Sequence, residues 1–494
     1  MLRKLVVFLA PALAALAQDP CERLKSLSLP HTTVTATDSM PAQGAVPAHC
    51  RVAATLRPSS DSDIGIEVRL PTANWNGNYE AVGNGGWAGT INEAEMAAAL
   101  QRGYATSSTD TGHHTPGASF ALGHPEKLID FGYRSEHEMT VTAKAIIAAF
   151  YAAGPKLSYF VGCSSGGRQA LMEAQRYPDD YDGIAAGAAT NNWNNMMFGR
   201  IWVAQATLED AASYIPPAKY PVIHKAVMEA CDALDGVKDG VLEDPTRCHF
   251  DPGALACKSA DGPACLTGPQ VDAARKIYTP ARNSRTGTQI FPAMERGSEL
   301  VWATLAGGPK PIALADDYFK YVVFENPNWD FKTLNFDSDF AKAQKRDGGT
   351  LSATNPDLRP FFSHGGKLIQ YHGWTDQQVM PRNSIDYYRS VVREMGDAAK
   401  TADSYRLFMA PGMNHCGGGE GPNKFDVLGA LAQWVENGKA PGSILASRNQ
   451  GSVSRTRPLC PYPQVAVYKG TGSTDDAANF ACKTPEGNNS DFGH

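Results

Sequence analysis

Ser164 stands in the run Gly162-Cys163-Ser164-Ser165-Gly166, a Gly-x-Ser-x-Gly spacing that can raise a serine hydroxyl as a nucleophile. A hydroxyl attacks well only when a base removes its proton. The chain offers His415 in Asn414-His415-Cys416, and Asp376 at the end of His372-Gly373-Trp374-Thr375-Asp376. In the order Ser, Asp, His these groups can carry acyl transfer. Serine attacks a carbonyl, imidazole takes and returns the proton, and the carboxylate holds the working tautomer. Asp386 is a poorer acid because it falls inside the next helix. So short a motif also arises by chance, and its weight comes from the apolar strand before it and the helix after it.

A tetrahedral intermediate needs donors at its oxygen. One is expected from the backbone N–H of Ser165, and another from Gly86 or Gly85 in Gly83-Asn84-Gly85-Gly86, with Trp87 as a wall for an aromatic group. That glycine run lacks the Gly-Lys-Ser/Thr ending and the spacing of a phosphate cradle. Asp110-Thr111-Gly112-His113-His114 is read as structural or pocket-edge, since adjacent histidines do not face one another and no glutamate stands at ligand spacing.

Cys163 precedes the candidate nucleophile and Cys416 follows the candidate base. The ten cysteines include four pairs close in sequence, Cys21 with Cys50, Cys231 with Cys248, Cys257 with Cys265 and Cys460 with Cys482, which leaves Cys163 for Cys416. Sequence alone does not fix this pairing. If those two are bonded, a covalent strap joins nucleophile to base. The even count, the lack of Cys-x-x-Cys and a leader at 1–17 (basic tip, short apolar run, Ala15-Leu16-Ala17) together predict an exported, disulfide-bonded chain, in the periplasm or outside the cell. The apolar run is shorter than the ~20 residues that span a bilayer.

Positioning these groups requires a sheet with helices on it. Strands are expected at 64–70, 78–82, 104–108, 157–161, 184–188, 367–372 and 405–410, and helices at 94–102, 137–152, 168–176, 383–394 and 424–436. That alternation predicts an α/β fold with a mostly parallel sheet covered on both sides. From 191 to 356 the texture becomes rich in Trp, Asn, Asp and Pro, too long for a loop, and is read as an inserted lid. The catalytic domain is thus expected in two parts, 18–190 and 357–494. Within the lid, Asp232, Asp235 and Asp239, with the carbonyls of Val237 and Val241, form an all-oxygen set suited to a structural Ca²⁺, although the twelfth-position glutamate of an EF-hand is missing.

The chain resembles the tannase and feruloyl esterase family, which includes bacterial hydrolases of mono(hydroxyethyl) terephthalate. The resemblance rests on Gly162 to Gly167, on Asp376 in its His-Gly-Trp-Thr-Asp run, and on Asn414-His415-Cys416. The runs 83–89 and 109–113 and the aspartate loop at 232–241 also match, and the likeness extends over about 21–482. It implies an α/β-hydrolase fold with a large lid, a structural calcium, no organic cofactor, and hydrolysis of phenolic-acid esters through an acyl-enzyme. The substrate would be a small aromatic ester or a phenolic ester on plant polysaccharide, feruloyl first and galloyl or another aromatic acyl group behind it. Independently, the lid's Trp193, Trp202, Tyr214, Tyr318, Phe319, Tyr321, Phe324 and Trp329 could line a phenyl pocket, although many of them are expected to be lid core.

With 43 % hydrophobic residues the chain can bury a large core, while a net charge of −6 without a basic cluster argues against nucleic acid as a partner. A serine peptidase would share the same triad, and a secreted binding protein with a degenerate fold would lack an activated serine. Asn488-Asn489-Ser490 is a glycosylation sequon.

Overall fold

Three strands, β1 (Thr32–Met40), β2 (His49–Leu56) and β3 (Ile64–Pro71), pair antiparallel in chain order. β2 alternates buried and half-buried side chains, as a strand with one face on a core does. The next six are buried almost throughout: β4 (Tyr79–Val82), β5 (Ala105–Thr109), β6 (Ser158–Cys163), β7 (Gly183–Gly187), β8 (Lys367–Gly373) and β9 (Tyr405–Ala410). Continuous burial marks strands covered on both faces. The nine join in the order β1-β2-β3-β5-β4-β6-β7-β8-β9, antiparallel as far as β5 and parallel beyond it. This computed structural model describes residues 19–450 and 453–485. The leader expected at 1–17 and the sequon at 488–490 lie outside the described residues.

Helices cover the sheet in two layers. On one face pack α1 (Glu93–Gln101), capped by Asn92, and the late helix Val427–Asn437, capped by Asp426; Ala99, Leu431 and Trp434 meet Tyr159, Ile369 and Phe408 there. On the other face, α2 (Ser135–Tyr151), α3 (Ser165–Arg176) and Arg382–Met395 bring Met139, Ile146, Leu171, Ile385 and Val391 onto Phe160, Ile184 and Leu368. The fold is that of an α/β-hydrolase.

One expectation needs correction: α3 starts at Ser165, not at 168. Gly166 and Gly167 read as turn residues, yet they are helical, and glycine stands there because neighbouring backbone leaves no room for a side chain. A Cβ on Gly167 would lie 2.3 Å from the Gly187 carbonyl oxygen.

Between β7 and β8 the chain leaves the sheet and builds a cluster of its own around Trp193, Phe198, Trp302, Tyr318 and Phe319. Its first helix is α4 (Trp193–Leu208) and its second α5 (Tyr220–Cys231). Trp87, Phe120 and Phe131 from before the insertion join the same cluster, so packing is continuous across the expected boundary at 191. After the last helix come two hairpins apart from the main sheet, Ile444–Gln450 with Val453–Leu459 and Val465–Tyr468 with Phe480–Lys483.

Candidate active site

β6 ends at Cys163, and the chain turns into α3 through Ser164, whose φ of +63° and ψ of −122° are unusual for a side-chain-bearing residue. Such a conformation costs roughly 1–3 kcal/mol and persists only where the surroundings enforce it. Ser164 N–H donates to the Gly187 carbonyl at 2.9 Å, and the Ser164 carbonyl accepts from Thr190 N–H at 3.2 Å. The turn closes because Gly162, Gly166 and Gly83 pass side by side. A Cβ on Gly162 would come within 2.5 Å of Gly166 backbone, and one on Gly83 within 2.6 Å.

Asp376 and His415 follow the carboxyl ends of β8 and β9. The Asp376 side chain is fully buried, and its Oδ2 meets His415 Nδ1 at 2.7 Å. Oδ1 accepts from the backbone N–H groups of Gln378 at 2.7 Å and Val379 at 2.9 Å. A second imidazole, His372, places Nε2 at 3.1 Å from the same Oδ2. Its tautomer follows from its neighbours. Nε2 faces two acceptors, Asp376 Oδ2 and the Val379 carbonyl at 2.9 Å, so it carries the proton, and Nδ1 accepts from the Ser384 hydroxyl at 2.7 Å while Gln370 Nε2 donates to that hydroxyl at 2.9 Å. Burial alone would push the Asp376 carboxyl up, but the charge of His415 and the hydrogen bonds from both imidazoles hold it well below the usual carboxylate range.

Cys163 and Cys416 are bonded, with Cα atoms 5.9 Å apart, and the other four pairs are those expected. The bond joins the residue before Ser164 to the residue after His415. The loop beyond His415 runs through Cys416, Gly417, Gly418 and Gly419, all at positive φ. His415 N–H is also held by Gln377 Oε1 at 3.2 Å.

Ser164 and His415 open onto one cleft of about 450 Å³, lined also by Gly83, Asn84, Gly85, Gly86, Tyr371 and Gln378. Both glycines expected to offer donors line the same cleft as the nucleophile. Ser165 begins α3, and its hydroxyl donates to the Gly86 carbonyl at 2.8 Å, tying the glycine loop to the helix that follows Ser164. Trp87 is not a wall of this cleft. It is buried against Phe131 and Trp193, with its indole N–H on the Leu314 carbonyl, because the core of the 191–356 insertion claims it.

Other candidates separate cleanly. His113 stacks on Phe120 at 3.8 Å, while exposed His114 pairs with Asp110, so that run is structural. Asp386 lines a different cavity, beside Arg382 and Tyr462. Of the lid aromatics, Trp193, Tyr318, Phe319 and Trp329 are buried in the lid core, and Trp202, Tyr321 and Phe324 pack against it.

In the aspartate loop, Asp235, Val237, Asp239 and Val241 surround a space of about 10 Å³ together with Glu243, which sequence reasoning missed. Asp232 lies to one side, with both oxygens on Gly240 N–H at 3.1 Å. Burial pushes the Asp235 and Asp239 carboxyls up and takes Glu243 to about 8, with mutual repulsion adding to it. Arg455 and Arg457 of the first late hairpin reach Asp239 Oδ2 at 3.3 and 2.5 Å. Among the described residues, the group of metal-type ligands gathered within 4.8 Å is Cys257, Asp261 and Cys265, and its sulfurs are spent in a disulfide. The aspartate loop is looser; its oxygen donors suit a hard dication, although Arg457 lines the same space and already offsets part of the charge of Asp239 and Glu243.

Comparison with known proteins places this geometry. A sequence profile described as tannase and feruloyl esterase matches residues 50–483. The chain is 39 % identical to an uncharacterized esterase of Xanthomonas campestris pv. campestris, covering 98 % of this chain and 94 % of that one. It is 35 % identical to a probable feruloyl esterase B-1 of Aspergillus flavus, over 88 % of this chain and 86 % of that one. The crystal structure of feruloyl esterase B from Aspergillus oryzae superposes with a TM-score of 0.88 at 32 % identity, covering 94 % of this chain and 99 % of the other.

Proposed function

The chain belongs to the tannase and feruloyl esterase family and is a carboxylic ester hydrolase acting on phenolic-acid esters; on that premise we propose that Ser164, His415 and Asp376 carry the reaction, with feruloyl-type esters as preferred substrates. Ser164 Oγ attacks the ester carbonyl while His415 Nε2 takes its proton. Collapse of the tetrahedral intermediate breaks the C–O bond, and the imidazolium returns the proton to the departing alkoxide. Water then attacks the acyl-enzyme by the same route and releases the acid. Asp376 stays ionised throughout and keeps the His415 proton on Nδ1 when the base is neutral. Backbone N–H groups of Ser165 and of Gly85 or Gly86 receive the oxyanion.

The observation that carries this reading is the buried Asp376 carboxylate on His415 Nδ1 at 2.7 Å, with a disulfide tying that histidine's loop to the nucleophile's turn. Feruloyl preference is supported by the relatives' printed names, and galloyl esters stand second. Rates on methyl ferulate, methyl caffeate, methyl gallate and a terephthalate monoester decide the acyl group; gallate as the best substrate would overturn the preference. Labelling by a fluorophosphonate that persists in Ser164→Ala would overturn the nucleophile.

Segment 191–356 is read as the lid, flanked by catalytic parts 18–190 and 357–494. Its aspartate loop would hold Ca²⁺ through Asp235, Asp239, Val237, Val241 and Glu243, with Asp232 adjoining. The ion would neutralise crowded carboxylates and fasten the lid to the late hairpins, with no part in the chemistry. A chelator should lower the unfolding temperature and leave the initial rate on methyl ferulate unchanged; an unmoved unfolding transition would remove the ion from the proposal. Export is supported by five disulfides and by the expected leader, and no helix among the described residues is long and apolar enough to cross a membrane.

A further inference from the structure

We infer that Arg200, on the lid helix α4, is a positioning residue for Asp376, acting through the peptide that joins Gln378 to Val379. Arg200 is 1 % exposed, and its Nε donates to the Gln378 carbonyl at 2.9 Å. The amide of that same peptide is Val379 N–H, which donates to Asp376 Oδ1 at 2.9 Å. The chain of contacts therefore runs guanidinium, carbonyl, amide, carboxylate, with one peptide plane between the lid and the acid. A cation on the carbonyl polarises the peptide and strengthens the N–H bond at its other end. The neighbouring Gln377 holds His415 N–H, so the short loop that Arg200 grips orients both acid and base.

A packing role alone explains this arginine poorly. Burying a guanidinium is expensive, and an apolar side chain of similar volume would fill the lid more cheaply. No carboxylate among the described residues lies within 4 Å of Arg200, and its other hydrogen bond is a 3.8 Å contact from Nη1 to Met197 Sδ. The anion whose charge acts on it is Asp376, while burial draws the guanidinium down to about 10, which leaves it charged at neutral pH. The peptide it holds contacts Asp376 Oδ1, whereas His415 contacts Oδ2.

The inference rests on the triad reading and has its own test. In Arg200→Met, kcat on methyl ferulate should fall about 10-fold or more with KM little changed, as a shift of the acid by a fraction of an ångström predicts. Arg200→Lys, which keeps the charge, should recover part of that loss. The deciding measurement is a cycle with Asp376→Asn: if Arg200 works through the carboxylate, adding Arg200→Met to that variant should cost no further kcat. An equal loss in both backgrounds, or a parental kcat in folded Arg200→Met, would overturn the inference. Should Arg200→Met not fold, Arg200→Lys in the two backgrounds supplies the same comparison. Failure of the triad reading looks different, since Ser164→Ala would then retain activity whatever Arg200 does.

Discussion

Replacing Cys163 and Cys416 together with alanine separates what the strap does for stability from what it does for rate. The bond closes a loop of 253 residues, for which chain entropy gives about 5 kcal/mol. A chain this long has an unfolding entropy of about 1 kcal/mol/K, so the melting temperature should fall by about 5 °C and the fold should survive at room temperature. The rate should suffer more. Without the bond His415 keeps its contacts to Asp376 and Gln377, but the following residues are Cys416, Gly417, Gly418 and Gly419, all at positive φ and weakly restrained. The remaining ties on this loop, among them Asn414 N–H on Gly418 O at 3.3 Å, Thr375 Oγ1 on Asn414 Oδ1 at 2.8 Å and Glu420 on His224 at 3.0 Å, act on residues either side of His415 and do not link it to the Ser164 turn. A displacement of about 1 Å between base and nucleophile costs ~100-fold. The loss should fall on kcat, because the rest of the cleft is built on the sheet. Steady-state kinetics on methyl ferulate, with near-ultraviolet circular dichroism to verify the fold, reads both effects. Unchanged turnover with a lowered melting temperature would show that the strap serves stability alone and refute the reasoning.

His372→Leu removes one of the donors on Asp376; kcat on methyl ferulate should fall about 10-fold with KM nearly unchanged. A parental kcat in the folded variant would assign His372 to packing. His224 on α5 lies between Glu299 Oε2 at 2.8 Å and Glu420 Oε2 at 3.0 Å, and Glu420 belongs to the loop that carries His415. Burial pulls this imidazole down, but the two carboxylates outweigh it and raise it to about 9. A raised folded-state value means stability fully present below the ordinary histidine range and lost as pH climbs through about 9, worth about 2 kcal/mol once the half-exposed Glu420 is discounted. Melting temperatures of the parent and His224→Gln should therefore converge between about pH 6 and about pH 10; a constant gap would exclude the clamp.

The chemistry of this site is legible in the sequence where it depends on local geometry. Gly162 and Gly166 mark a turn that no side chain could enter, and the cysteines beside Ser164 and His415 mark two loops that meet. Strand and helix order followed from the change between alternating and continuous apolar runs. What stayed hidden depends on pairs distant in the chain. Glu243 is tied to the loop by its own N–H on Asp235 Oδ2, and its side chain is fixed by the distant Ala466 amide, which no local pattern announces. Trp87, adjacent to the glycine loop, was assigned to the cleft because sequence cannot say which face of a turn meets the lid; Leu314, far along the chain, decides it. The start of α3 was missed for the same reason, since Gly166 and Gly167 signal a turn locally and a close-packed helix only once the Gly187 backbone is beside them.

The support of Asp376 follows this pattern. Its partners His415, His372, Gln378 and Val379 lie within a few residues of the two motifs, whereas Arg200 comes from the insertion. The direct donors to both Asp376 oxygens come from His372, Gln378, Val379 and His415, and Arg200 reaches the acid only through a peptide between them. On the inference drawn for Arg200, the insertion contributes to the electrostatics of the acid through the Gln378 carbonyl. Loosening α4 should impair proton transfer even on esters too small to touch the lid, and that outcome separates an electrostatic role of the insertion from a role in substrate binding alone.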